Sequence, residues 1–171
     1  MMDQLLFISP YNWADIGTAI LCGTLIGIER QVRNKPVGIR TSSLIVLGTY
    51  LFVVSASFLD GEALDPSRVV GQVITGIGFL GAGVMLTKDG AVVGVTSAAS
   101  IWVLAALGVM IAMGHTLVAI KVAVLVVLLL WGVDVLEDYM VTISRWMRSK
   151  LSRRRLLAGS KRSRRRFRGD D

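Results

Sequence analysis

One cysteine, one histidine and three prolines are all that 171 residues offer of the types that clip, ligate or break a chain. With Cys22 alone there is no disulfide framework, and its apolar flanks make it a small packing residue. His115, in a tight turn between two apolar runs, reads as an exposed turn residue. No Cys/His/carboxylate spacing suits zinc, and no Ser-His-Asp, Walker or kinase signature occurs. No cofactor, no metal site and no enzyme are therefore expected. Charge is missing as well. Residues 41–59, 69–86 and 91–114 hold no charged side chain, and 116–133 holds only Lys121. What fills these stretches is apolar: 53% of the chain is hydrophobic and the mean hydropathy is +0.63, more apolar than soluble domains of this length.

These blocks, with an earlier one from Trp13 to Ile28, predict an all-α membrane protein with five transmembrane helices. The expected spans are Trp13–Ile28, Thr41–Leu59, Arg68–Leu86, Thr96–Met113 and Thr116–Val135. Met1–Asp3 has no basic n-region and Pro10–Asn12 interrupts the first apolar run, so no cleavable signal peptide is expected. Of the basic residues, all but Arg68 and Lys121 fall in the loops after spans one and three or beyond span five. Basic segments stay cytoplasmic, which puts the N-terminus out and the C-terminus in. The domains expected are a membrane domain, 1–135, and a cytoplasmic basic tail, 136–171. No acid lies at the centre of a span. That counts against a proton pump or a coupled exchanger.

"TGIGFLGAG" at 75–83 carries the G-x-G-x-x-G spacing of a dinucleotide-binding loop. That fingerprint needs a preceding strand and an acid about 20 residues on. Here the motif lies inside a span and is followed at that distance by "TSAASIWV", which has no acid. Two readings remain for Gly76, Gly78, Gly81 and Gly83. They form a close-packing face, matched by Gly23-x-x-x-Gly27 in span one and Gly108-x-x-x-Ala112 in span four. Alternatively, they break the helix to expose backbone at a binding site.

"GTLIGIERQVRNKPVGIRTSSLIVLG" (23–48), "DPSRVVGQVITGIGFLGAGVML" (65–86) and "VGVTSAASIWVLAALGV" (93–109) together resemble the membrane domain of the MgtC/SapB family. The resemblance implies a multi-pass bacterial inner-membrane protein with five spans. It also implies a part in coping with magnesium scarcity and host or acid stress, including survival inside macrophages. It further implies action on other membrane proteins, the F-type ATP synthase among them, rather than magnesium transport. The branch that carries a folded soluble domain after span five differs from this chain, where an Arg-rich tail follows. The resemblance is thus to the short, SapB/YhiD-like branch, and it leaves open whether the virulence role and ATP synthase control of the longer branch extend to it. Val93 stands where a basic residue is expected in relatives.

Two polar clusters are candidate functional sites. Glu29, Arg30 and Arg40 flank a loop held by Pro36 and Gly38, and match the family's "ER…P-x-G-x-R-T" pattern. Glu29 has Arg33 at i+4 and Arg40 across the loop as possible partners. Asp65, Arg68 and Gln72 share one helix face leading towards the glycines, with Asp65 as N-cap and Pro66 at the first helical position. This stripe either lines a water-filled vestibule or forms a buried hydrogen-bond network. In the tail, Leu136, Met140, Ile143, Met147 and Leu151 recur at helical spacing among Arg145, Arg148 and Lys150. With Arg153, Arg154 and Arg155 they predict a helix on the inner membrane surface, bound to anionic lipid rather than to nucleic acid. The partners expected are the bilayer, a second copy of the chain in a homodimer, and other membrane proteins. Two functions follow: a non-enzymatic modulator of membrane partners, or an ion or small-solute pathway formed by an oligomer.

Overall fold

A computed structural model of the chain describes residues 8–58, 66–88, 90–133 and 135–136. Helices dominate. They are α1 (Trp13–Val32), α2 (Ile39–Ala56) and α3 (Pro66–Gly83); a hairpin of β1 (Leu86–Lys88) and β2 (Ala91–Val93) then leads to α4 (Val95–Ala112) and α5 (Thr116–Val133). Among them α2, α4 and α5 are long and apolar enough to cross a membrane. Asp15, Glu29 and Arg30 dilute α1, and Arg68, Gln72 and five glycines dilute α3. The chain divides into two compact units at Leu129/Leu130. The described part of the second is the end of α5 and residues 135–136, so the rest of the expected tail, with Arg145, Arg148, Lys150, Arg153, Arg154 and Arg155, lies outside the described residues.

Local chemistry sets the helix ends. Asn12 caps α1 by accepting the Ala14 N–H on its side chain at 2.9 Å, and Asp15 in the first turn suits the positive end of the helix dipole. Helix α1 runs past the expected end at Ile28 to Val32, closing on an Arg33 C-cap. Helix α3 opens on Pro66, whose missing N–H costs nothing at a first helical position. It stops at Gly83 rather than at Leu86. Leu86 instead starts the antiparallel hairpin, paired Leu86↔Val93, Thr87↔Val92 and Lys88↔Ala91. Gly94, at φ 90°, turns the chain from β2 into α4, where a Cβ would strike the Val84 carbonyl oxygen.

The core is built from α1, α2 and α4. Ala19, Cys22, Ile26, Val46, Leu104, Leu107 and Ile111 are buried at its centre, at the three- and four-residue steps of facing helical stripes. Glycines set the approach of the helices. A Cβ on Gly23 would lie 2.5 Å from Ser43 Cα, and one on Gly27 2.5 Å from Ile39 Cα. On α4, a Cβ on Gly108 would lie 2.6 Å from the Val46 carbonyl oxygen. Backbones therefore touch where side chains are absent, which is how small residues let membrane helices associate. Helix α3 packs on α4 and, more sparsely, on α2.

Candidate functional site

The α1–α2 loop closes one end of this core with six residues, 33–38. Asn34 and Val37 both take left-handed backbone, at φ 53° and 69°. For β-branched Val37 that conformation costs about 1–2 kcal/mol, and such a conformation persists only where its surroundings impose it. The surroundings are visible: the buried Ser42 hydroxyl donates to the Val37 carbonyl at 3.1 Å, and the Lys35 N–H donates to the Arg30 carbonyl at 2.9 Å. The Ile39 N–H donates to the Gln31 side-chain oxygen at 3.4 Å.

Beneath this loop sit two buried charges. The side chains of Glu29 and Arg30 are 6% and 3% exposed. Glu29 Oε1 lies 3.2 Å from Arg33 Nε, and Glu29 Oε2 lies 3.6 Å from Arg30 Nη1. Both are ion pairs by distance, yet neither Glu29 oxygen nor Arg30 Nε has an aligned hydrogen-bond partner. A buried acid between two guanidiniums is thus compensated in charge and incompletely in hydrogen bonding, an arrangement able to exchange partners. Arg40 is not part of it. It is exposed in the first turn of α2, and Glu29 pairs instead with Arg33 one turn on along the extended α1. No group of three or more His, Cys, Asp or Glu side chains able to hold a metal ion occurs among the described residues.

The second expected cluster is divided. Asp65 lies outside the described residues. Arg68 and Gln72 are exposed on α3, and Gln72 lines a groove of about 800 Å³ between α3 and α2. Of the glycines, Gly76 also lines the groove. Gly81 faces Ala98 at 3.7 Å, whereas a Cβ on Gly71, Gly76, Gly78 or Gly83 would meet nothing within 4 Å. Apart from Gly81, the close-packing face expected on α3 is therefore not used among the described residues. Nor is the helix broken, since α3 is continuous from Pro66 to Gly83.

At the opposite end of the core lies a polar set that sequence reasoning missed. The Tyr11 hydroxyl and Ser55 Oγ are 2.7 Å apart, the Tyr50 hydroxyl accepts from the Asn12 N–H at 3.2 Å, and Thr116 donates to Asp15 at 3.0 Å. These pairs join residues 38 to 101 positions apart, so no local spacing announces them.

The structure thus defines a mostly helical membrane protein with a buried charge centre at one end of its core. The chain belongs to the MgtC family, whose model matches residues 16–139. YhiD of Escherichia coli K12, whose name proposes it as a magnesium transporter, is 44% identical over 119 residues, 66% of this chain and 55% of its own. MgtC of Brucella abortus is 43% identical over 101 residues, 59% of this chain and 42% of its own. MgtC of Salmonella typhimurium is 36% identical over 114 residues, 67% and 48% respectively. The chain spans about half the length of these curated relatives, YhiD included, so length does not separate YhiD from MgtC. No solved structure matches.

Proposed function

We propose that the protein is a non-enzymatic, five-span protein of the bacterial inner membrane that acts on membrane partners during magnesium limitation or host and acid stress. The observation that carries this reading is the buried Glu29–Arg30 pair, with half-buried Arg33 on Glu29, at the strained 33–38 loop. Charge buried at a span end without full hydrogen bonding is expensive and is kept where it serves a purpose. Its place under a basic loop points to the cytoplasmic side as the face that partners meet. The apolar centre of the α1–α2–α4 core, filled by residues such as Cys22, Ile26 and Leu104, favours a modulator over a private transport route. Helices α1 and α3 complete the five spans by pairing with the more apolar three. The tail then lies along the inner surface through its arginines and binds lipid, not nucleic acid. A homodimer uses the open face of α3 formed by Gly71, Thr75, Gly78 and Ala82, all exposed.

The second reading is an oligomeric ion or small-solute pathway, favoured by Gln72 on the α2–α3 groove and by what the name of YhiD proposes. Two assays on the same protein separate them. In cells growing at limiting magnesium, Glu29→Gln should fail to give the benefit that the wild-type chain gives when expressed to the same level in the membrane. In liposomes the wild-type protein should pass no magnesium, other cation or phosphate above the leak of empty vesicles. Flux well above that leak would overturn the first reading in favour of the second.

A further inference from the structure

Every fourth residue along one line of α2 is Arg40, Leu44, Gly48, Phe52; along one line of α3 it is Arg68, Gln72, Gly76, Leu80. Residues four apart share a helix face. All of these except the two arginines line the same groove, and among the described residues no charged one is in its lining. An arginine therefore continues the line of each wall beyond the groove lining. Arg40 stands in the first turn of α2, where the Gly38 N-cap offers no side-chain cap and the helix dipole also favours an anion.

The dimensions and the apolar lining suit acyl chains. From Thr41 to Ala56 the α2 wall is about 22 Å long. A volume of about 800 Å³ over that length leaves a mean section of roughly 36 Å². Two hydrocarbon chains side by side, each roughly 4–5 Å wide at van der Waals contact, fit. Next to Arg40 the α2 wall is Thr41, whose hydroxyl suits a headgroup, followed by the apolar Leu44 and Ile45. We propose that the α2–α3 groove is a binding site for an anionic diacyl phospholipid, with its acyl chains between the helices and its phosphate on Arg40. This rests on α2 and α3 lying in the bilayer, as the five-span reading has it.

The test uses the full chain, delipidated in detergent and offered equal dioleoyl-phosphatidylglycerol and dioleoyl-phosphatidylethanolamine, with retained lipid read by native mass spectrometry. Wild type should retain phosphatidylglycerol about fivefold over the zwitterionic lipid, as one basic contact near a headgroup gives. Arg40→Gln should lose that preference while still holding lipid. Gly48→Phe/Gly76→Phe fills the groove from both walls without a clash, since a Cβ at either position meets nothing within 4 Å. It should lose both lipids about tenfold. Gly17→Phe, equally open but on α1, should match wild type. Undiminished lipid in the filled variant, or equal retention of the two lipids by wild type, would overturn the proposal. So would a fall from two chains to one in the filled variant, which would put a second copy in the groove. Flotation with vesicles is measured in parallel: a wild type that floats without retaining lipid sinks this proposal alone, and one that does not float sinks the spanning reading with it.

Discussion

Glu29 Oε1 stands 3.2 Å from Arg33 Nε across one helical turn, with the side chain of Arg30 buried beside them. Removing one member of such a group leaves a buried charge uncompensated, which costs about 3–5 kcal/mol. Glu29→Ala should therefore lower the midpoint of thermal or denaturant unfolding markedly. Glu29→Leu/Arg30→Leu should recover much of the loss, because a buried pair replaced by apolar side chains is often neutral. If the double variant melts as low as the single one, the charges are not coupled as the geometry states.

Two glycine substitutions should have different consequences. Gly27→Leu drives a side chain into the Ile39 backbone and should prevent folding, read as loss of a monodisperse peak in detergent. Gly78→Leu meets open space and should leave the fold and its melting point intact while converting a dimer to a monomer. Light scattering in nanodiscs checks this. A wild-type chain that is monomeric there would remove the dimer.

Asp15 and Thr116 join α1 to α5 at 3.0 Å, partly buried. A double-mutant cycle with Asp15→Ala and Thr116→Val should give a coupling of about 1–2 kcal/mol, the range for a hydrogen bond to a charged group. A coupling near zero would mean that the contact is not formed in the membrane.

Orientation is open to labelling. In a Cys22→Ala background, His115→Cys in the exposed α4–α5 turn should react with an impermeant reagent from the periplasm, and Lys35→Cys in the α1–α2 loop should not. Labelling of Lys35→Cys from outside would invert the topology.

The helices were readable because apolar blocks bounded by charge or glycine leave little choice of element, and all five form where expected. What was misjudged lay at their ends. The apolar run predicts an end for α1 at Ile28, where charge begins, yet the helix continues to Val32, with Glu29 paired to the Arg33 C-cap one turn on. Leu86 was assigned to the third span on apolarity alone. The Asp89-Gly90 pair after it is a strong hairpin signal in sequence, and the register of β1 and β2 leaves those two residues as the connection. Of the candidate sites, Glu29 and Arg30 come together because they are neighbours on one helix. That Arg40 faces away depends on the rotation of α2, which the glycine contacts of Gly23 and Gly27 fix and which no single-sequence pattern encodes.

Those same contacts distribute mechanical freedom unequally. With the α1 backbone seated on the α2 backbone at Gly23 and Gly27, and α4 seated on α2 at Gly108, no slack remains for these three helices to slide. They form a stiff frame. Helix α3, bordered by a groove on one side and open glycines along another, has room to tilt or rotate without unpacking a core side chain. A substitution or ligand that shifts α3 therefore meets less backbone resistance than one that shifts α1, α2 or α4 against one another.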